Sequence, residues 1–163
     1  MRNCTCPQRI YLIDRIINRL QINVKYNIID YMKFVSHCVQ DTYDIAKKIA
    51  TDLKGGEVIL LSGDLGAGKT TFTKGLALAL GVQDTVTSPT FTFMKSYEGR
   101  LTLYHFDMYR ADNEDELYEL GLADYLDMDG VCVIEWNKFR NIKNPIVVNI
   151  KAIDEHTREI EIL

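Results

Sequence analysis

No apolar run in the 163-residue chain approaches the ~20 residues of a membrane-spanning helix, so none is expected. A basic surplus is also missing. The net charge is -4, and a protein that holds nucleic acid by itself leans on a clustered basic footprint, so any RNA contact is expected to be made in company. The four cysteines, Cys4, Cys6, Cys38 and Cys132, form no CxxC pair and have no histidine spacing suited to zinc. They read as free thiols of a reducing compartment, the cytoplasm. Cys4 and Cys6 have no two further ligands nearby to complete a metal site. Repeats and low-complexity linkers are absent after Met32. What remains is an ordinary globular composition, 47% hydrophobic and 26% charged, of a length that buries a single core.

Residues 1–31 differ from the rest. They carry a net +3, from Arg2, Arg9, Arg15, Arg19 and Lys25 against Asp14 and Asp30, which leaves -7 for residues 32–163. Ile10, Ile13, Ile17 and Leu20 fall at helical spacing with arginines between them, the pattern of a basic amphipathic helix for a membrane surface or a partner. No secretory h-region or cleavage pattern accompanies it. The expectation is that Met32 is the working start, with residues 1–31 an upstream translation or a dispensable extension, and residues 32–163 one folded domain.

That domain is organised around Gly63-Asp64-Leu65-Gly66-Ala67-Gly68-Lys69-Thr70-Thr71, a full match to GxxxxGK[ST] at Gly63, Gly68, Lys69 and Thr70. The apolar run Val58-Ile59-Leu60-Leu61 precedes it and a helical stretch follows, which is the context the motif needs. Glycine at Gly66 and Gly68 lets backbone amides turn inward and, with the positive end of the next helix, surround a polyphosphate. Lys69 then reaches the β and γ phosphates, and the Thr70 hydroxyl is placed for magnesium.

Around this unit the pattern is regular. A short strand is expected at Lys33–Ser36. A helix follows, capped by Asp41 or its neighbour, with the apolar face Ile45, Ala46, Ile49, Ala50 and Leu53. Thr70–Leu80 reads as the helix after the loop, stopped by Gly81. Phe91–Met94 and Leu101–Phe106 alternate about a turn at Glu98-Gly99, as a β-hairpin does. Asn113 caps a short acidic helix, with Glu116 three residues on and Gly121 at its end. Val131–Ile134 is a buried strand that delivers Glu135, and Ile146–Ile150 and Arg158–Ile162 are further strands. The expected class is α/β, a single-domain P-loop NTPase-like fold with a central, largely parallel sheet flanked by helices and an inserted β-hairpin.

In such sheets ligands sit outside the carboxyl ends of the strands. Two acids end strands there, Asp107 and Glu135. A P-loop site needs one acid to hold magnesium and can use another to orient or deprotonate the attacking water. Glu135, on the more apolar strand, is assigned to the metal and Asp107 to the water; the reverse division is also open. Ser88 and Thr90, in the hydroxyl-rich loop after the second helix, are candidates for a nucleotide-sensing switch, the alternative being hydroxyls that only satisfy turn amides. His105 alternates with Leu101 and Leu103, as a packed histidine does. Trp136 either lines the nucleotide pocket or covers the sheet edge. Arg110 fits a phosphate contact or an ion pair with the acidic run from Glu114 to Glu119. A guanine reader of the small-GTPase kind shows Asn-Lys-x-Asp, but here Asn137-Lys138-Phe139 is followed by Arg140, which favours adenine. No arginine finger is evident in cis. Hydrolysis is therefore expected to be slow, since a finger supplies about 10³ to 10⁵ in rate.

Four motifs together resemble the TsaE family: Gly63 to Thr71, Ser-Pro-Thr-Phe at Ser88 to Phe91, Tyr-His-Phe-Asp-Met-Tyr-Arg at Tyr104 to Arg110, and Ile-Glu-Trp at Ile134 to Trp136. The likeness runs from Met32 to about Ile153. The resemblance implies an ATPase required for the threonylcarbamoyladenosine modification of tRNA, with nucleotide on residues Asp64, Leu65, Gly66, Ala67, Gly68, Lys69, Thr70 and Thr71. It implies magnesium on Thr70 and Glu135, a part in hydrolysis for Asp107, and a nucleotide-responsive loop at Ser88 to Thr90. It also implies partners, TsaB and TsaD, the latter acting on adenosine 37 of tRNAs that read ANN codons. The ATP cycle would reset that complex, without the protein transferring the group, and the tRNA would be met only indirectly. Ser36 to Asp41, before the first helix, would approach the base, and Cys38 there has no assigned role. A small-molecule kinase or a non-hydrolysing docking module are the competing readings; a kinase normally brings an arginine-bearing lid, and the arginines after Lys69 are scattered at Arg100, Arg110, Arg140 and Arg158.

Overall fold

Val131–Glu135 is buried at all five positions, as a strand must be when it has neighbours on both sides and a packed layer on each face. It is strand β5 of a seven-stranded sheet in a computed structural model that describes residues 32–163. The expectations for residues 1–31 lie outside the described residues. The other elements are β1 (Met32–Ser36), α1 (Val39–Asp52), β2 (Val58–Ser62), α2 (Lys69–Ala79), β3 (Met94–Tyr97), β4 (Leu103–Asp107), α3 (Glu114–Glu119), a 3-10 helix (Leu122–Asp127), β6 (Ile146–Ala152) and β7 (Arg158–Ile162).

The strand order is β1-β7-β6-β2-β5-β4-β3. Strands β6, β2, β5 and β4 run parallel, so their carboxyl ends share one edge of the sheet. The flanks are antiparallel: β6 with β7, β7 with β1, and β4 with β3. The fold is thus the expected α/β class, with its parallel part at the centre.

Helices α1 and α2 pack together over one face. Ile45, Ala46, Ile49 and Ala50 of α1 and its C-cap Leu53 join Phe72, Leu76 and Ala77 of α2 and its C-cap Leu80 in one core with Ile59, Leu61, Val133 and Val148 of the sheet. Burying one such aliphatic or aromatic side chain is worth about 1.5–3 kcal/mol. At the helix crossing stands Gly75, where a Cβ would lie 2.8 Å from Tyr43 Cα and 2.9 Å from Ala46 Cβ. A smaller core on the opposite face joins Phe106, Cys132 and Ile134 to Leu117, Leu122 and Phe139.

Local signals were followed closely at the acidic helix. The Asn113 side chain accepts from Glu116 N at 3.1 Å, and Glu116 Oε2 accepts from Asp112 N at 2.9 Å. At α1 the N-cap is Cys38, without a side-chain bond; Asp41 lies in the first turn and accepts from His37 N at 2.8 Å. The hairpin forms later in the chain than the alternation suggests. Phe91–Phe93 is drawn into a turn, closed by Thr92 N donating to Pro89 O at 3.0 Å and with Phe93 at φ 60, so that the first strand begins at Met94.

Candidate active site

The register of the parallel strands lines up the chemistry. Leu61 of β2 and Asp107 of β4 both pair with Glu135 of β5, so the P-loop departs from the sheet beside both acids. Alternation then decides which way they face. Glu135 follows Val131 and Val133, and Asp107 follows Leu103, all on the side covered by α1 and α2. Both acids are buried.

Between β2 and α2, Gly66 and Gly68 hold φ of 76° and 112°, the left-handed region that glycine enters without strain. Gly68 is the N-cap of α2. It offers no side chain to the first-turn amides, and no acidic residue stands in that turn. The amides and the positive end of the helix are therefore left for an anion. Asp64, Leu65 and Gly66 form the exposed tip of the loop, Ala67 is buried, and Thr71 is half-buried in the first turn of α2.

Lys69 folds back on this loop. Its Nζ donates to Gly63 O at 2.8 Å and Asp64 O at 2.9 Å, and lies 4.1 Å from the centre of the Trp136 ring. Burial lowers its pKa, opposed by the charges of Glu135, Asp107 and Asp64. The Trp136 backbone has φ 58°, a left-handed conformation that is costly for a bulky residue and that brings the indole over the lysine. The sequence left Trp136 between pocket and sheet edge. It lines a cavity of about 730 Å³ with Ser62, Gly63, Asp64, Tyr109 and Lys138.

The two acids are held differently. Glu135 Oε1 accepts from Thr70 Oγ1 at 2.9 Å and from His105 Nε2 at 3.0 Å. His105 is fully buried, as its alternation with leucines implied, but packing is not all it does. A carboxylate only accepts, so the hydrogen is assigned to Nε2, and the buried Nδ1 has no hydrogen-bond partner among the described residues. An unpaired buried acceptor costs about 1–3 kcal/mol.

Asp107 Oδ2 accepts from Ser88 Oγ at 2.6 Å and Thr90 Oγ1 at 2.7 Å, and Oδ1 accepts from Tyr109 N at 3.1 Å. Burial works to raise its pKa. The bonds from Ser88, Thr90 and the Tyr109 amide, with the nearby His105, outweigh it and hold the carboxyl below its ordinary value of 3.8. The hydroxyls of Ser88 and Thr90 are thus given to this carboxylate, while turn amides of the same loop find other partners: Thr87 N donates to Tyr97 Oη, and Thr92 N to Pro89 O.

Other candidates resolve as follows. The guanidinium of Arg110 lies 4.2 Å over the exposed ring of Phe91, and the ion pair with Glu114 in the acidic run is made by Arg140 instead, at 3.3 Å. Asn137 closes its own turn, exchanging two bonds with the backbone of Phe139, so this segment is committed to local structure. Cys38 and Cys132 are free, and burial pushes the Cys132 thiol up to about 12.

Two connections escaped sequence reasoning. One is His105 to Glu135; the signal was its place two residues before Asp107 on the same strand face. The other is Arg158. Its Nε donates to Ala67 O at 2.9 Å, and its Nη1 donates to Asp154 O at 2.9 Å and Thr157 O at 3.0 Å. Arg158 also pairs with Ser36 across β1 and β7, so this one residue links the end of β1, where the segment Ser36 to Asp41 begins, to the P-loop.

These residues fit a magnesium–nucleotide pair. Thr70 and Glu135 offer adjacent hard oxygens at the foot of an uncapped helix N-terminus. Among the described residues no cluster of three or more His, Cys, Asp or Glu stands ready to hold a metal alone. Two protein oxygens are fewer than the octahedral shell of magnesium needs, so an ion held here would take its remaining ligands from water and phosphate oxygens. Nor is any helix among the described residues long and apolar enough to cross a membrane.

Comparison with known proteins gives concordant matches. The sequence model of the family described as threonylcarbamoyl adenosine biosynthesis protein TsaE matches residues 36–160. A relative from Treponema pallidum (strain Nichols), named tRNA threonylcarbamoyladenosine biosynthesis protein TsaE, is 40% identical over 134 residues, 80% of this chain and 99% of the relative. The Bacillus subtilis (strain 168) protein of the same name is 46% identical over 125 residues, 74% of this chain and 78% of that protein. Among solved structures, the crystal structure of Bacillus subtilis YdiB superposes with a TM-score of 0.68 at 37% identity, covering 84% of this chain and 87% of that one.

Proposed function

Because the chain belongs to the TsaE family, we propose that it binds ATP with magnesium and hydrolyses it slowly in the cytoplasm, in the service of tRNA threonylcarbamoyladenosine formation. The observation that carries this reading is the convergence of Lys69, Thr70, Glu135 and Asp107 on one uncapped helix N-terminus. The loop amides and the α2 N-terminus take the phosphates. Lys69 leaves the carbonyls of Gly63 and Asp64 for the β and γ phosphates. Thr70 and Glu135 hold the magnesium ion, which when bound supplies charge neutralisation at the phosphates. Asp107 orients the attacking water once Ser88 and Thr90 loosen their hold on Oδ2, which makes their loop the nucleotide-responsive switch. The segment Ser36 to Asp41, whose first residue is the strand partner of Arg158 and so is linked through it to the P-loop, meets the adenine.

The work of this cycle is assigned to a protein assembly with TsaB and TsaD, whose turnover it resets. Group transfer itself belongs to the partners. The acidic charge of the chain suits that division, with tRNA held by the complex.

Phosphate release measured with and without TsaB and TsaD tests the reading. The expected result is release stimulated by the pair and abolished by Glu135→Ala. Phosphate appearing on a small acceptor would make the protein a kinase, and background hydrolysis with both partners present would make it a docking module.

A further inference from the structure

Among the described residues, Glu135 is anchored through one oxygen only. Oε1 receives Thr70 Oγ1 at 2.9 Å and His105 Nε2 at 3.0 Å, which fills the two lone pairs of that oxygen and leaves Oε2 for another ligand. The Thr70 hydroxyl, its hydrogen committed to Oε1, keeps its own lone pairs free. A single chain of two hydrogen bonds, His105 to Glu135 and Thr70 to Glu135, therefore sets the direction of both oxygen donors assigned to the metal.

Among the described residues, His105 makes no other side-chain hydrogen bond. It is fully buried between strands β3 and β5, paired in register with Lys95 and Val133, and its Nδ1 meets no partner. An apolar side chain would fill that space without stranding a polar atom. The imidazole is suited to one task there, a rigid donor aimed at Oε1, since a ring held on all sides by the core cannot follow the carboxylate if it rotates.

We propose that His105 is the positioning residue of the magnesium site, fixing the Glu135 carboxylate, and through it the Thr70 hydroxyl, in the orientation that receives a nucleotide-bound divalent cation. The inference rests on the ATPase reading above. His105 itself touches neither nucleotide nor metal.

The test uses the full chain and two kinds of variant. His105→Gln keeps an amide donor for Oε1, whereas His105→Leu fills the core without one; His105→Asn, too short to reach Oε1, is a second donor-less variant. ADP binding is read from the fluorescence of Trp136, the sole tryptophan of the chain, in EDTA and across a magnesium titration. Melting temperature is followed in parallel. The expected result is unchanged ADP affinity in EDTA for all folded variants, and a magnesium requirement shifted upward about 10- to 100-fold in the donor-less variants, as for loss of an outer-shell partner. His105→Gln is expected to recover most of the shift. Either donor-less variant that folds carries the test. A magnesium requirement in it equal to that of the unaltered protein would overturn the positioning role alone, as would equal impairment of the Gln variant at an unchanged melting temperature. Absence of any magnesium effect on nucleotide binding in the unaltered protein would overturn the ATPase reading and this inference together.

Discussion

Both oxygens of Asp107 are engaged before any nucleotide arrives, and that has a thermodynamic consequence at the level of the single residue. Ser88, Thr90 and the Tyr109 amide favour its charged form and hold its pKa below 3.8 in spite of burial. A carboxylate with a depressed folded-state pKa adds stability that is complete above its unfolded value and is lost as pH falls through the folded one. Hydrogen bonds to a charged group are worth about 1.5–3 kcal/mol each. Urea unfolding of the unaltered protein against a Ser88→Ala, Thr90→Ala double variant should therefore show an advantage of about 3–6 kcal/mol at pH 6 that shrinks as the pH is taken below 3.8. A difference that did not vary with pH would mean that the hydroxyls act by packing alone. The same depression makes Asp107 a poor proton acceptor while the loop clasps it, which fits a water-orienting group released by loop movement better than a base poised at rest.

At the level of elements, the helix pair α1 and α2 is the part that brings the phosphate-binding turn to rigid support, and its closeness depends on Gly75. With α1 backbone at 2.8 Å from where a Cβ would stand, even alanine forces the helices apart. Helix propensity favours alanine over glycine by about 1 kcal/mol, so an exposed glycine replaced this way would stabilise. Here overpacking dominates. Gly75→Ala is expected to cost about 1–3 kcal/mol, measured as a lowered midpoint in urea without loss of α-helical signal. A stabilised variant would mean that the crossing relaxes freely. Elements of this kind were largely legible in the sequence, because their causes are local. The apolar face of α1 recurs at helical spacing, Asn113 and Glu116 form a capping box three residues apart, and Val131 to Ile134 is a run that only a buried strand explains. The first hairpin strand was misplaced for an equally physical reason: Phe91 to Phe93 alternates like a strand, but Ser88 and Thr90 are pulled to a carboxylate distant in sequence, and the turn that this requires uses up those residues.

The scale of the whole molecule is where periodicity falls silent, since alternation reports a face and not a neighbour. Nothing local placed β7 between β1 and β6, and so nothing local put Arg158 against the P-loop 91 residues before it. That contact links the antiparallel flank of the sheet to the edge that carries the P-loop. One guanidinium donates to Ala67 O inside the loop and to the carbonyls of Asp154 and Thr157 in the turn between β6 and β7, while its backbone pairs with Ser36 at the end of β1. The planar fork of arginine suits such convergent acceptors, and lysine would not reproduce it. Arg158→Met keeps much of the aliphatic stem and removes every donor. The residue is half-buried, so a stability loss of only about 1–2 kcal/mol is expected from these bonds. Nucleotide affinity, read from Trp136, should fall by about tenfold, because the carbonyl of Ala67 loses the partner that keeps the neighbouring amides turned toward a phosphate; that factor corresponds to about 1.4 kcal/mol. Arg158→Lys should behave like the methionine variant. Unchanged affinity in both would show that the loop holds its shape through its glycines and helix alone, and that the sheet flank contributes to folding but not to the site.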